Sequence, residues 1–284
     1  MKADPRFSQL GMSFWANVRT ISQELGYTQR GRGEVAAYSV DSIVDATSRL
    51  GLRTEHLLEK NGCPAKLALA LEEYFLYRSH LLNDSVRPLL MDAAEARKEF
   101  VELKKALRPS CPLPMNKQKG RKRSNAFLSC IVNMLVEAHK GDAAVDYDPR
   151  SLTTITKAGR PVRTLARRVD GCFPRTVNPV AVWEIKEYYY TTTFGSRVAD
   201  GVYETLLDGL ELRELQEHEG IRVLHYLMLD GRYTWWDCGR SYLCRVIDML
   251  NMGCVDEVLF GREVIDRLPP LVKDWVARLE LSSD

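Results

Sequence analysis

Hydrophobic residues in the first third of the chain recur at the spacing of amphipathic helices. That spacing places apolar side chains on one helix face, where they can pack into a core. Gly26 and Gly51 follow two of these segments and suit left-handed C-terminal positions, while Ser39 suits an N-cap. We therefore predict an all-helical domain over residues 1–115. Its helices are expected at 14–25, 40–50, 65–82 and 86–107.

Part of this helical domain has two interpretations. Helices at 21–27 and 39–52, joined by the basic segment 29–33, could form a helix-turn-helix whose connector touches DNA phosphate. A plain packing pair of amphipathic helices fits the same pattern. Both interpretations stay open.

The pattern changes after the proline-rich stretch 108–114, which cannot continue a helix. From about residue 124, helical segments alternate with strand-like runs in the order αβββαβαβ. This order predicts an α/β domain over residues 116–284, in which helices cover both faces of a mixed sheet to give three layers. The predicted strands are 152–156, 161–170, 179–188, 221–229 and 255–260, and the predicted helices are 125–139, 197–218 and 238–250.

Charge is concentrated in the middle of the chain, although the net charge is only +2. Residues 117–186 contain fourteen Lys or Arg against six Asp or Glu. Such a basic stretch favours a polyanion partner, whereas a solvated charged linker is the alternative. The candidate phosphate contacts in its most basic segment are Lys117, Lys119, Arg121, Lys122 and Arg123.

Composition excludes several classes of protein. Hydrophobic residues make up 45% and charged residues 27%, the balance of a globular protein. There is no apolar run of membrane-spanning length and no secretion signal, so we expect a cytoplasmic protein without a membrane partner. The seven cysteines form no Cys-x-x-Cys pair and are expected to be reduced. No Gly-x-x-x-x-Gly-Lys-Ser/Thr loop is present, so no nucleotide cofactor is expected.

The most informative residues are Asp170, Glu184 and Lys186. Glu184 and Lys186 lie two apart on an apolar strand and therefore share one face. Burying a carboxylate and an ammonium there costs desolvation energy, which favours a functional role. Asp170, expected at the end of the preceding strand, can reach the same point. Together with the carbonyl of Ile185, the two carboxylates supply the hard oxygen ligands that Mg²⁺ prefers.

Such a site would hydrolyse phosphodiester bonds. The metal would offset charge at the scissile phosphate and lower the pKa of a bound water, while Lys186 would hold or polarise that water. The alternative is a structural one, in which Asp170 is a surface residue and Glu184 and Lys186 form an ordinary ion pair. A helix-turn-helix DNA-binding protein without enzymatic activity would then be expected.

Asp170 and the run Glu184-Ile185-Lys186 resemble the motif of the PD-(D/E)xK, or restriction-endonuclease-like, nuclease superfamily. The resemblance covers residues 124–260, and the order of elements matches that family's core. Val169 stands where the family's motif has proline. The resemblance implies a Mg²⁺-dependent hydrolase, most similar to a type II restriction endonuclease of a restriction-modification system. Such an enzyme cuts double-stranded DNA as a homodimer. Related cores also serve repair and other defence nucleases that act on structured or modified DNA.

Two further positions are predicted at this site. Members of the family often add a glutamate from the first core helix, and Glu137 continues a helix-face stripe of Asn125, Ser129 and Asn133. Glu137 is therefore the candidate fourth catalytic residue, with a solvent-facing glutamate as the alternative. Arg197 follows a hydroxyl-rich loop at a helix start, where amides attract phosphate, and is a candidate DNA contact.

Overall fold

The computed structural model describes residues 1–29, 33–118, 121–189 and 195–281. Helices fill the first part of the chain, and helices and strands alternate in the rest. The α-helices are α1 (Pro5–Ser8), α2 (Met12–Leu25), α3 (Val40–Arg49), α4 (Lys66–His80), α5 (Ala93–Leu107), α6 (Phe127–His139), α7 (Ser196–Glu219), α8 (Arg240–Asn251) and α9 (Glu263–Leu281). The strands are β1 (Met115–Gln118), β2 (Arg121–Asn125), β3 (Thr154–Lys157), β4 (Arg160–Thr164), β5 (Gly171–Phe173), β6 (Ala181–Lys186), β7 (Leu224–Leu229) and β8 (Glu257–Phe260).

The first helices share a core of their own, in which Phe14, Ile21, Ile43 and Phe75 are buried together. The predicted ends are confirmed: Gly26 and Gly51 have positive φ, and the Ser39 hydroxyl accepts the amide of Ser42. The connector between α2 and α3 spans residues 26–39, many more than the three or four of a helix-turn-helix, so it fits the plain packing pair better. Arg30, Gly31 and Arg32 of that connector lie outside the described residues.

The predicted helix at 86–107 begins later, at α5. A π-helical turn Leu81–Val86 and a 3-10 turn Arg87–Leu89 precede it. Asp92 then caps α5 through the amides of Ala94 and Glu95, and a capping box fixes the start of a helix. The helix packs against α6 through Phe100 and Phe127, whose ring centroids are 5.5 Å apart. The α5 helix therefore belongs to the core of the α/β part, although we placed it in the helical domain.

The central sheet has the order β5-β6-β7-β8 and is mixed, as predicted. β5 runs antiparallel to β6, whereas β7 and β8 run parallel to it. Helices α5, α6 and α9 pack on one face, and α7 and α8 pack on the other. The molecule is thus a mixed α/β protein with the expected three layers around the sheet.

Two hairpins lie outside the central sheet. β3 and β4 pair with each other, and the turn between them uses positive φ at Ala158 and Gly159. The strand predicted at 161–170 therefore ends at Thr164, and Asp170 instead lies directly before β5. β1 and β2 form an antiparallel hairpin where we predicted only a basic linker. The segment is basic and polar, so it gave no hydrophobic signal for a strand.

A buried ion pair joins the first helices to the α/β part. The Arg78 guanidinium on α4 lies 2.9 Å from the Asp248 carboxylate on α8, and Tyr74 donates to the same carboxylate at 2.6 Å. All three side chains are buried. Among the described helices, none is long and apolar enough to cross a membrane.

Close contact between α7 and the segment before β8 yields a stability prediction for Gly209. A Cβ added at Gly209 would lie 2.1 Å from the Cys254 carbonyl oxygen, a backbone atom that cannot turn aside. We expect Gly209→Ala to lower the free energy of unfolding by about 1–3 kcal/mol or more, because overpacking forces the backbone to shift. Urea denaturation followed by circular dichroism measures the change.

Gly11→Ala is the matched control, since Gly11 has φ −74° and no atom near the added methyl group. Its effect should stay within about 1 kcal/mol. Equal losses for the two variants would contradict the close contact.

Candidate active site

Asp170 lies at the edge of the sheet, where β5 begins. Its amide donates to the Trp183 carbonyl at 3.1 Å, and its Oδ2 accepts the Ile185 amide at 2.8 Å. The next residue must be glycine, because a Cβ added at Gly171 would lie 2.2 Å from the Trp183 ring. The carboxylate is therefore held against β6 while its side chain stays open to solvent.

Glu184 and Lys186 share one face of β6 and are buried, as their spacing predicted. The Lys186 ammonium donates to Glu184 Oε2 at 2.6 Å and lies 3.3 Å from Glu204 Oε2 on α7. Ile185 points to the opposite face, into the core formed with α6 and α9. The structure thus brings Asp170, Glu184 and Lys186 to the same end of β6.

Arg167, which the sequence analysis did not assign, bridges this pair to α7. Its NH1 lies 3.0 Å from Glu184 Oε1 and 2.6 Å from Asp208 Oδ2, and its NH2 lies 3.2 Å from Glu204 Oε2. Glu204 and Asp208 are four apart on α7 and so face the sheet together. This four-residue spacing is the feature of the sequence that could have predicted that Glu204 and Asp208 act together. We call these six side chains the charge cluster: Asp170, Glu184, Lys186, Arg167, Glu204 and Asp208.

Two buried carboxylate oxygens of the charge cluster have no hydrogen-bond partner among the described residues, Glu184 Oε1 and Asp208 Oδ1. Arg167 approaches Glu184 Oε1 as a charge without the geometry of a hydrogen bond. Buried acceptors are ordinarily satisfied, so Asp208 Oδ1 retains the capacity to accept a further donor, whereas Glu184 Oε1 already faces the Arg167 guanidinium at 3.0 Å.

The protonation states in the charge cluster follow from burial and mutual charge. Burial would raise the pKa of Glu184, but the Lys186 and Arg167 cations outweigh it and lower that pKa. Burial would lower the pKa of Lys186, but Glu184 and Asp170 outweigh it and raise that pKa. Surrounding protein and the Glu184 charge raise the pKa of Asp170 to about 6. Burial and Glu184 raise the pKa of Asp208 to about 7.

A cleft of about 610 Å³ opens beside this cluster. Asp170 and Ile185 form its sheet side, Ser129 and Asn133 of α6 form another wall, and Arg168 lies at its rim. Arg168 is exposed and makes no hydrogen bond or ion pair with any described residue. Adjacent arginines therefore differ: Arg167 is held by carboxylates inside, while Arg168 remains available in the cleft.

Glu137 does not join the predicted site. Its carboxylate accepts the amide and hydroxyl of Ser110, so it holds the segment before β1 rather than facing Asp170. Glu187, which we had left aside, accepts the amide and hydroxyl of Ser129 at 3.0 Å each. It thereby caps α6, whose N-cap residue Ala126 supplies no side-chain hydrogen bond.

The predicted phosphate contacts are placed only in part. Lys119 lies outside the described residues, as do the side chains of Lys117, Arg121, Lys122 and Arg123. The backbone of β1 and β2 carries this basic segment next to the cleft, because Met115 lines it. Arg197 is exposed in the first turn of α7, whose N-cap is Gly195 rather than Ser196.

The oxygen donors proposed for Mg²⁺ are the carboxylates of Asp170 and Glu184 and the Ile185 carbonyl. Within the described ranges, no three His, Cys, Asp or Glu side chains converge as a metal-ligand group. The set predicted to hold Mg²⁺ has two carboxylates and a backbone carbonyl, so it differs from a site built from three such side chains.

Comparison with known proteins gives two family matches. A family model described as "Domain of unknown function (DUF7687)" matches residues 91–275. A second, "Domain of unknown function (DUF7690)", matches residues 1–85. No curated protein and no solved structure matches the chain.

Arg167 and Arg168 are expected to differ in how much each contributes to stability. Arg167→Ala leaves the buried Glu184 and Asp208 carboxylates without their shared cation, and we expect the free energy of unfolding to fall by roughly 2–4 kcal/mol. Arg168→Ala removes an exposed side chain and should change it by less than about 0.5 kcal/mol. Chemical denaturation of both variants measures the contrast. A small effect of Arg167→Ala would show that the charge cluster does not depend on this guanidinium.

The pKa of Asp208 predicts how stability changes with pH. Between about pH 4, where an exposed aspartate has lost its proton, and about pH 7, the folded chain keeps a proton on Asp208. Rising pH therefore lowers the free energy of unfolding across this window. We expect the wild type to lose stability relative to Asp208→Asn between these pH values, as measured by urea denaturation at each pH.

Asp45→Asn, which removes an exposed carboxylate on α3, controls for the general pH dependence of unfolding. A wild-type advantage over Asp208→Asn that stays constant or grows with pH would contradict the raised pKa.

Proposed function

The chain belongs to the family described as "Domain of unknown function (DUF7687)", and we propose from its site that it is a Mg²⁺-dependent endonuclease that hydrolyses DNA phosphodiester bonds. One observation carries the proposal. Asp170, a solvent-open carboxylate, lies at the same end of β6 as the buried pair Glu184 and Lys186, and it lines a cleft that also holds the exposed Arg168.

The arrangement of the sheet supports the finer proposal of a PD-(D/E)xK core. Asp170 lies directly before β5, which runs antiparallel to β6, and Glu184 and Lys186 lie on β6 towards its carboxyl end. β7 and β8 continue the sheet in parallel, and helices cover both faces. The acidic residue and the Glu-x-Lys pair thus lie on adjacent strands, as the motif requires.

The donor set fits Mg²⁺ in its chemistry. Asp170 offers a carboxylate on the cleft side, and Glu184 Oε1 is a buried oxygen without a hydrogen-bond partner among the described residues. With the Ile185 carbonyl, these residues would hold a hard cation. A bound Mg²⁺ would supply positive charge at the scissile phosphate and lower the pKa of a coordinated water.

Lys186 serves as a fixed cation in this proposal. Its raised pKa, caused by Glu184 and Asp170, keeps the ammonium protonated at neutral pH, so it cannot act as a general base. It can donate a hydrogen bond to an attacking water and stabilise the negative charge that develops on phosphate. Glu184 and Glu204 hold the ammonium in position for that role.

DNA would enter through the cleft. Arg168 and Arg150 are exposed cations on its lining, and guanidinium groups bind phosphate oxygens well. Arg150 also contacts Asp148 at 2.6 Å, so Arg168 is the stronger candidate. Cleavage of double-stranded DNA at a specific sequence by a homodimer, as in a type II restriction enzyme, is the finer form of this proposal.

A second candidate is a DNA-binding protein without cleavage. The closed ion pairs around Glu184 favour it, because Lys186 and Arg167 already balance the charge that a metal would otherwise neutralise. In this case the charge cluster would be structural, and only Arg168 and the basic hairpin would contact DNA.

A cleavage assay decides between the two candidates. The purified full chain is incubated with mixed-sequence plasmid and Mg²⁺, beside Glu184→Gln, Lys186→Met and an EDTA control. We expect both variants to lose cleavage by about 100-fold or more, because each removes a group that stabilises the transition state. Lys157→Met, which changes an exposed lysine on β3, is the matched control and should retain activity.

DNA binding is measured on the same proteins by fluorescence anisotropy at several salt concentrations. Arg168→Ala should weaken binding and reduce its salt dependence by about one phosphate contact. Plasmid that stays intact with full binding would reject the nuclease and support the second candidate. Discrete fragments would support a restriction enzyme, whereas a smear would support a nuclease without sequence specificity.

A further inference from the structure

A second cavity lies where α2 meets α7 and α8. Its volume is about 450 Å³, within the range that suits a small ligand. The side chains that carry its chemistry come from three helices: Arg19, Ser22 and Tyr27 from α2 and its end, Tyr203 from α7, and Arg245 and Asp248 from α8. We call this cavity the α2–α8 pocket.

The α2–α8 pocket has an excess of positive charge. The Asp248 carboxylate is already balanced by the buried Arg78 at 2.9 Å. Arg245 forms no ion pair with a described carboxylate, and its hydrogen bond to the Tyr27 hydroxyl is long, 3.5 Å. Arg19 donates to the Met252 sulfur at 3.4 Å and likewise pairs with no described carboxylate. Two guanidinium groups without a carboxylate partner in the described part of the chain therefore line one cavity, which favours an anionic ligand.

Aromatic surfaces line the same cavity. The Arg245 guanidinium is held between two rings, 5.2 Å from the Tyr27 centroid and 4.9 Å from the Tyr242 centroid. Tyr203 is 51% exposed and makes no ring contact with the described residues, so its face is available for stacking. An anion that also presents a flat ring would use both features.

The floor of the pocket offers hydrogen-bonding groups. Ser22 accepts a hydrogen bond from Arg78 Nη2 at 3.1 Å, and no described residue accepts its hydroxyl proton. From the same residues, Asp248 Oδ2 accepts one bond, donated by Arg78 Nη1 at 3.1 Å. A ring with an amino group and a ring nitrogen can therefore be bound by its edge.

We propose that the α2–α8 pocket binds a nucleotide, with the phosphate on Arg19 and Arg245 and the base against Tyr203. The ligand is either a free nucleotide or one unit of a single strand, since both present the same chemistry. It would be a bound ligand and not an energy source, in keeping with the missing phosphate-binding loop. Tyr203 is adjacent to Glu204 on α7, so an occupied pocket contacts the helix that supplies Glu204 and Asp208 to the charge cluster.

Isothermal titration of the full chain tests this proposal. The probes are nucleoside monophosphates and ATP, with adenosine and inorganic phosphate as ligands that lack one half of the chemistry, and a short single-stranded oligonucleotide. We expect saturable binding of a nucleotide, weakened about tenfold in Arg19→Gln and in Arg245→Gln through loss of a charge-assisted contact. Arg49→Gln, an exposed arginine on α3, is the matched control and should bind normally.

Tyr203→Leu is a second test at an exposed position, where misfolding does not confuse the result; it should weaken binding about tenfold by loss of stacking. Binding of the oligonucleotide alone would assign the pocket to a nucleic-acid strand. Binding of neither a nucleotide nor the oligonucleotide, equal affinity for inorganic phosphate, or unchanged binding in all three variants would overturn the proposal. Lys186→Met should bind nucleotides as the wild type does, because Lys186 does not line the α2–α8 pocket. Failure of the nuclease proposal can therefore be distinguished from failure of the nucleotide proposal.

Discussion

The structure depends on neutralising one buried carboxylate, Glu184. A charge without contact to water is costly, so the fold supplies Lys186 at 2.6 Å from one oxygen and Arg167 at 3.0 Å from the other. Arg167 also contacts Asp208 on α7, at 2.6 Å. The Glu184 charge on the sheet thereby fixes the position of Arg167 in the loop before β5 and, through Asp208, the position of α7.

This constraint explains the close packing around the charge cluster. For Asp208 to reach Arg167, α7 must lie near the sheet and near the backbone before β8, and Gly209 makes that approach possible. Gly201, on the same helix, leaves room for Tyr188 and Lys186, whose nearest atoms would lie 3.0 Å and 3.1 Å from a Cβ added there. The small residues on α7 thus allow the close approach that the charged residues beside them need for their contacts. The same helix also lines the α2–α8 pocket, so the two proposed sites share a rigid element.

Much of the fold could be predicted from residue patterns. The alternation of helix and strand, the mixed sheet and the shared face of Glu184 and Lys186 follow from periods of 3.6 and two residues. The β1–β2 hairpin could not be found this way, because its residues are basic rather than apolar. The separate strand β5 was missed because it has only three residues, too few for a periodic signal. Asp170 directly precedes β5, so the position at which this strand begins determines where Asp170 lies.

By itself, the sequence determined the local facts about this protein: which segments form helices and strands, and that Glu184 and Lys186 project together from a buried strand. These follow from spacing within one element. Tertiary structure alone decided the partners, because a side chain's charge partner can lie far along the chain. It brought Arg167 to Asp208, left Arg168 free in the cleft and placed Glu137 with Ser110. Packing of whole elements, which no short pattern records, selects those contacts.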